Sequence, residues 1–166
     1  MTGPTDGIAP ATSFDPRQFA TDIERITNEG LVDELMAKFA PDAVADWVMD
    51  GARDRHVGID AIRAAVVELT DVCHTLDLKV NKRVECADEN TIVMSWTGGF
   101  AGADNQFGIE ICTLRGGLIV RQQMYSYLDV RSSRSPWASL RLLTVAPRVV
   151  AATLRYRRAH GTLLNR

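Results

Sequence analysis

No stretch of this sequence is apolar for long enough to span a bilayer, which takes about 20 consecutive residues, so a helical membrane span is excluded. Cysteine is scarce: Cys73, Cys86 and Cys112 show no metal-ligand spacing. An odd count without a signal peptide favours reduced, buried thiols and a cytoplasmic protein. The first residues, Met1–Ser13, lack both a basic start and an apolar block. They are rich in Gly, Pro, Thr and Ala and read as a disordered leader, not a secretion signal. There is no Gly-rich phosphate loop, no nucleophile elbow and no cluster of metal ligands, so neither a metal nor a nucleotide cofactor is expected. The last 37 residues also lack acids. Beyond Asp129 lie eight arginines, so the tail carries +8 and the rest −10, for a net charge of −2. An acidic body would repel phosphate, which argues against a nucleic-acid partner.

What is present is an ordinary globular composition, 46% hydrophobic and 24% charged over 166 residues, enough for one domain with a real core. Asp15 and Pro16 open a first helix, Phe19, Ile23 and Ile26 give it an apolar stripe, and Gly30 ends it. A second short helix is expected over Leu31–Phe39, a strand over Ala43–Met49, a turn at Asp50-Gly51, and a short strand near Arg55–Val57. A third helix follows over about Asp60–Asp71. Then come long strands. Leu76, Leu78, Val80, Val84 and Cys86 mostly alternate with polar residues; Ile92, Met94, Trp96 and Phe100 share one face of the next strand. The runs Gln106–Arg115 and Leu118–Val130 are apolar on both faces and joined by a Gly116-Gly117 hairpin. Helices first and then a long antiparallel meander is an α+β order.

Three segments carry a resemblance. Phe39-Ala40-Pro41-Asp42-Ala43 leads into an apolar strand. His56-Val57-Gly58-Ile59-Asp60-Ala61-Ile62-Arg63 launches a helix. Met124-Tyr125-Ser126-Tyr127-Leu128-Asp129 ends the last strand. Together they resemble the nuclear transport factor 2-like superfamily, which includes SnoaL-like polyketide cyclases, ketosteroid isomerases and limonene-epoxide hydrolases. The resemblance implies a cone-shaped α+β barrel with a curved antiparallel sheet over residues 14–131, one internal pocket, and often a homodimer through the sheet. Residues 132–166 form a basic helical extension.

The resemblance also shows what is missing. The isomerase base position falls at Trp47, with Asp46 beside it; the oxyanion-hole tyrosine falls near Ile23; only the acid position, Glu110, keeps a carboxyl group. Without a base there is no enolisation. The epoxide hydrolase set is replaced by Ser95, Trp96 and Thr97, with Ser126 at its last acid.

The remaining catalytic candidates are Glu110, His56, Asp129 and Tyr125, with His74 behind them. Glu110 lies within the apolar run Phe107–Leu114, so its carboxyl group is either partly dehydrated inside the pocket or faces outward to pair with Arg121 or Arg83. His56 reads first as a solvated residue in the turn before the third helix, and Asp129 as a strand-end cap or bridge. Trp47, Met94, Trp96 and Phe100 are candidate ligand-binding residues, or simply core. The expected function is a SnoaL-like small-molecule pocket, with cofactor-free acid/base chemistry on an apolar polycyclic or terpenoid-like substrate. The alternative is a non-catalytic binding or interaction module of the same fold.

The tail reads as two helical segments, Ser135-Pro136 starting one and Pro147 breaking or restarting it. The tail is expected to pack on its own body or on the dimer partner; exposed ion pairs contribute only about 0–1 kcal/mol each, so most of the docking must come from Trp137, Leu140, Leu143, Val150 and Leu154, worth about 1.5–3 kcal/mol for each one fully buried. A basic amphipathic helix on an anionic membrane is the disfavoured alternative. Truncation after Arg131 is expected to lower the melting temperature. Unchanged stability, with pelleting of the intact chain alone on anionic vesicles, would favour the membrane instead.

Overall fold

In the computed structural model, which describes residues 14–132 and 135–160, the first element is helix α1, Pro16–Glu29. The Asp15 carboxylate accepts hydrogen bonds from the Arg17 and Gln18 backbone amides at 2.9 and 3.3 Å, and Gly30, at φ 70°, closes the helix in the left-handed region. The expected leader, Met1–Ser13, lies outside the described residues. Helix α2 is shorter than its apolar spacing suggests, Val32–Met36. Strand β1 starts already at Phe39 and runs to Met49. Pro41 explains the difference: it offers no amide hydrogen and disfavours helical geometry at Ala40, so the chain is extended by then.

After the Asp50-Gly51 turn come β2 (Ala52–Val57) and α3 (Ile59–Thr75), the latter longer at both ends than expected. The strands β3 (Leu78–Ala87), β4 (Thr91–Phe100), β5 (Gln106–Arg115) and β6 (Leu118–Tyr127) follow as a meander. The hairpin glycines Gly116 and Gly117 both have positive φ, 58° and 80°, as a tight two-residue turn requires. The sheet order is β2-β1-β6-β5-β4-β3. The fold class is α+β, with one correction to an all-antiparallel sheet: β1 lies parallel to β6. The first long strand and the last one are therefore neighbours.

Helices α1, α2 and α3 supply one side of the core. Phe19, Ile23, Met36, Ile62 and Val66 pack with the inward residues Ala43, Ala45, Trp47, Ile92, Met94, Cys112 and Ile119 of the sheet. Strand β6 changes phase within this layer. Ile119 and Arg121 have the same parity, which strict alternation would put on one face. A bulge pairs Leu114 with Ile119 but Thr113 with Arg121, so Ile119 turns into the core while Arg121 points out.

The edges of the sheet are β2 and β3, and α1 covers the β3 edge with side chains. Asn28 binds Val80 in both directions, its amide nitrogen donating to the carbonyl at 2.9 Å and its oxygen accepting from the backbone amide at 2.8 Å. One turn earlier Glu24 accepts from the Lys82 amide at 2.6 Å. Two residues four apart on a helix thus act as a surrogate strand along a vulnerable edge.

From Val130 onward the chain forms a second compact unit. It holds α4 (Pro136–Val145) and α5 (Pro147–Ala159), each with proline at its start. No helix among the described residues is long and apolar enough to cross a membrane.

Replacing Asn28 by alanine leaves both backbone groups of Val80 unpaired. The expected cost is about 1–3 kcal/mol, read as a lower urea midpoint. A loss well under 0.5 kcal/mol would show that water substitutes for the side chain.

Candidate functional site

The inward face of β5 reads Gln106, Gly108, Glu110, Cys112 and Leu114, the alternate residues lying on the opposite face. Beneath it lies a cavity of about 610 Å³. Helix residues such as Ile26, Leu35, Val66 and Leu69 form one wall, and Trp47, Trp96, Phe100 and Met124 belong to the sheet side. Such a mostly apolar recess with few convergent polar groups is the usual form of a small-molecule site.

Those polar groups meet at Glu110. Its side chain is 5% exposed and forms an ion pair with Lys82, itself 3% exposed. Oε1 takes the Lys82 ammonium, Oε2 accepts from Gln122 Nε2 at 3.1 Å, and Gln122 Oε1 accepts from the Trp47 indole at 3.0 Å. The His56 ring stands edge-on to Trp47, with ring centres 4.9 Å apart. Lys82, Glu110, Gln122 and Trp47 are thus one hydrogen-bonded chain across four strands. Glu110 faces inward, and its partner is neither Arg121 nor Arg83. Desolvating two charges is expensive, so the pair survives here because each Glu110 oxygen has its own donor. Burial, aided by the Glu110 charge, pushes the neighbouring Cys112 thiol well above its ordinary range, which makes it a core residue and not a nucleophile.

The other candidates separate by strand parity. His56 is in strand β2, not a turn, and lines the cavity. Trp47, Trp96 and Phe100 line it too. Met94 is fully buried in the core cluster, paired across from Glu110, and does not line the cavity. Tyr125 is 40% exposed, and Gln123 on the same face donates to its hydroxyl. One step along, Ser126 points in, so strand alternation turns Tyr125 away from the cavity. Asp129, past the end of β6, accepts from Asn105 at 3.2 Å and lies outside the cavity wall. His74 is exposed in the last turn of α3. Asp46, beside the isomerase base position, is on the outer face. There a hydrogen bond from Arg53, with Arg55 and Arg121 close by, holds its carboxyl below the usual carboxylate range.

Among the polar residues lining the cavity that escaped the sequence reading are Lys82, Gln106, Gln122 and, as a cavity group, Ser126. Lys82 left a signal. It occupies the apolar phase of β3, between Val80 and Val84, where a lysine has no reason to sit unless it has a buried partner. Among the described residues no group of three His, Cys, Asp or Glu side chains is placed to hold a metal ion.

The model of the SnoaL-like domain matches residues 21–122, from α1 through to Gln122 in β6. The chain belongs to the SnoaL-like family. Comparison with curated proteins returns no match. Among solved structures, a SnoaL-like protein of unknown function from Burkholderia thailandensis is 15% identical, with a TM-score of 0.56 over 70% of this chain and 98% of its own. An NTF-2 like protein of unknown function from Burkholderia xenovorans is 16% identical, with a TM-score of 0.54 over 75% and 91%. A Kribbella flavida protein, provisionally assigned as a ketosteroid isomerase, is also 16% identical, with a TM-score of 0.54 over 73% and 81%. These likenesses fix the NTF2-like fold and leave the chemistry to the side chains of this SnoaL-like cavity.

Lys82→Met should strand a buried carboxylate and cost about 3–5 kcal/mol in urea unfolding. Lys82→Met with Glu110→Leu removes both charges and should recover most of that loss. If the double variant is as unstable as the single one, the pair is not the unit that the cavity floor depends on.

Proposed function

We propose that this SnoaL-like protein binds a small, largely apolar molecule in the cavity, and that Glu110 and Lys82 carry out cofactor-free proton transfer on it. The observation that carries the reading is a buried carboxylate–ammonium pair set into the wall of an apolar cavity of about 610 Å³. The carboxylate can accept a proton and the ammonium can give one, so a proton taken from one atom of the ligand can return to another. Isomerisation and cyclisation need no more than that, while dehydration also releases a water and hydration consumes one. The surrounding apolar wall strengthens every electrostatic contact by excluding water. His56, on the wall beside Trp47, is the second group able to carry a proton. Tyr125 and Asp129 receive no chemical role, because neither reaches the cavity.

Polycyclic ketides, sterols and terpenoid intermediates suit this volume and polarity. The provisional assignment of the Kribbella flavida neighbour as a ketosteroid isomerase agrees with that class in fold only. Ketosteroid isomerisation itself is disfavoured, since Trp47 replaces the base and the adjacent Asp46 faces the other way.

A second reading has its own support. Both Glu110 oxygens already hold partners, Lys82 and Gln122, as in a structural ion pair. On that reading the cavity binds without catalysis.

A panel of sterols and aromatic polyketides, screened by thermal shift and then for conversion, separates the two. Glu110→Gln is expected to keep ligand binding and lose turnover by at least about a hundredfold, the scale of a lost acid/base group. Binding without any turnover in the native chain would establish the non-catalytic reading. If no member of the panel binds, both readings fail.

A further inference from the structure

Two residues that line the cavity each carry a buried polar atom with no partner among the described residues: Gln106 Nε2 and Ser126 Oγ. Both residues are 3% exposed, and both line the cavity. A buried polar group left unpaired costs about 1–3 kcal/mol. Such groups are uncommon in folded proteins, and two at one end of one cavity point to something that completes them.

Their placement is set by the sheet. Gly108 in β5 pairs directly with Ser126 in β6, and Gln106 is the next inward residue of β5. Gln106 and Ser126 are thus diagonal cross-strand neighbours, within reach of one small group for a side chain as long as glutamine. An amide nitrogen can only donate, and a hydroxyl can donate. One oxygen with two lone pairs satisfies both. We propose that Gln106 and Ser126 together bind the carbonyl oxygen of a neutral, elongated ligand, a deduction that rests on the reading of the cavity as a ligand site.

The rest of the ligand follows from the same strand. Glu110 is four residues along β5 from Gln106 on the same face, about 13 Å at the strand rise. Between them is Gly108, where a β-carbon would overlap the Trp96 indole, so the ring itself forms the floor there. The site therefore has a donor pair at one end, an aromatic platform in the middle and the Glu110–Lys82 pair at the other end. That matches a flat carbonyl compound about two or three rings long. Charge makes it neutral: Asp54, Glu68 and Glu110 also border the cavity, against Lys82 as the one lysine or arginine among the residues that line it. A carboxylate ligand would meet net negative charge.

The test uses two probes of one skeleton, acetylnaphthalene and ethylnaphthalene, which differ by a carbonyl in place of a methylene. Binding to the full chain is measured by calorimetry for the native protein, Ser126→Ala, Gln106→Leu and the double variant. The native chain is expected to prefer the ketone by at least tenfold. Each single variant should cut that preference several-fold, and the double variant should abolish it while keeping its affinity for the hydrocarbon. Since neither side chain has a partner without ligand, melting temperatures of the ligand-free variants should stay level or rise. A native chain without preference for the ketone overturns the carbonyl anchor and leaves the cavity reading standing. So does a preference that survives both substitutions, or a variant whose ligand-free stability falls. If neither probe binds the native chain, the ligand-site reading fails, and the anchor with it.

Discussion

The buried ion pair between Glu110 and Lys82 is the constraint around which the domain is arranged. Taking a carboxylate and an ammonium out of water costs several kcal/mol each even after relaxation. The fold meets that cost by surrounding the pair with fixed partners. Gln122 satisfies the second carboxylate oxygen and is itself oriented by Trp47, 75 residues away along the chain. Lys82 is aimed inward because Glu24 and Asn28 of α1 hold its strand at the backbone. A helix, an edge strand and the two central strands thus cooperate in presenting one charged group to an apolar space.

That arrangement also explains why family membership says so little about reaction. The fold supplies a cavity, and chemistry depends on which inward positions carry polar groups. Here the inward positions of β1 are apolar or aromatic, and its acid, Asp46, is committed to three arginines outside. The buried polar groups of the sheet's inward face lie on β3, β5 and β6.

Much of the fold was legible in the sequence, because it depends on local rules. Asp15-Pro16, Gly30, Asp50-Gly51 and Gly116-Gly117 punctuate the chain where backbone geometry demands it, and each was placed correctly. The end of α2 was misplaced because apolar spacing through Phe39 mimics a helix until Pro41 intervenes. The inward facing of Ile119 was not legible, because a bulge, invisible to a period of two, resets the alternation. The site was half legible. Glu110 stands out as an acid in an apolar run, but parity alone cannot say which side of a sheet with two apolar faces is inside. Lys82 and Gln106 went unnoticed because lysine and glutamine read as surface until their partners, or the lack of them, are seen in three dimensions.

The parallel contact between β1 and β6 carries a consequence for synthesis. The strand that leaves the ribosome early has its central neighbour near the far end of the domain, with the whole meander emerging in between. Until Leu118–Tyr127 is made, the inward side of β1 has Trp47 without its Gln122 acceptor and an apolar edge without a strand. Non-local pairing of this kind slows folding and leaves nascent chains sticky. The geometry that closes the cavity is thus also what leaves apolar surface of the half-made domain uncovered during synthesis.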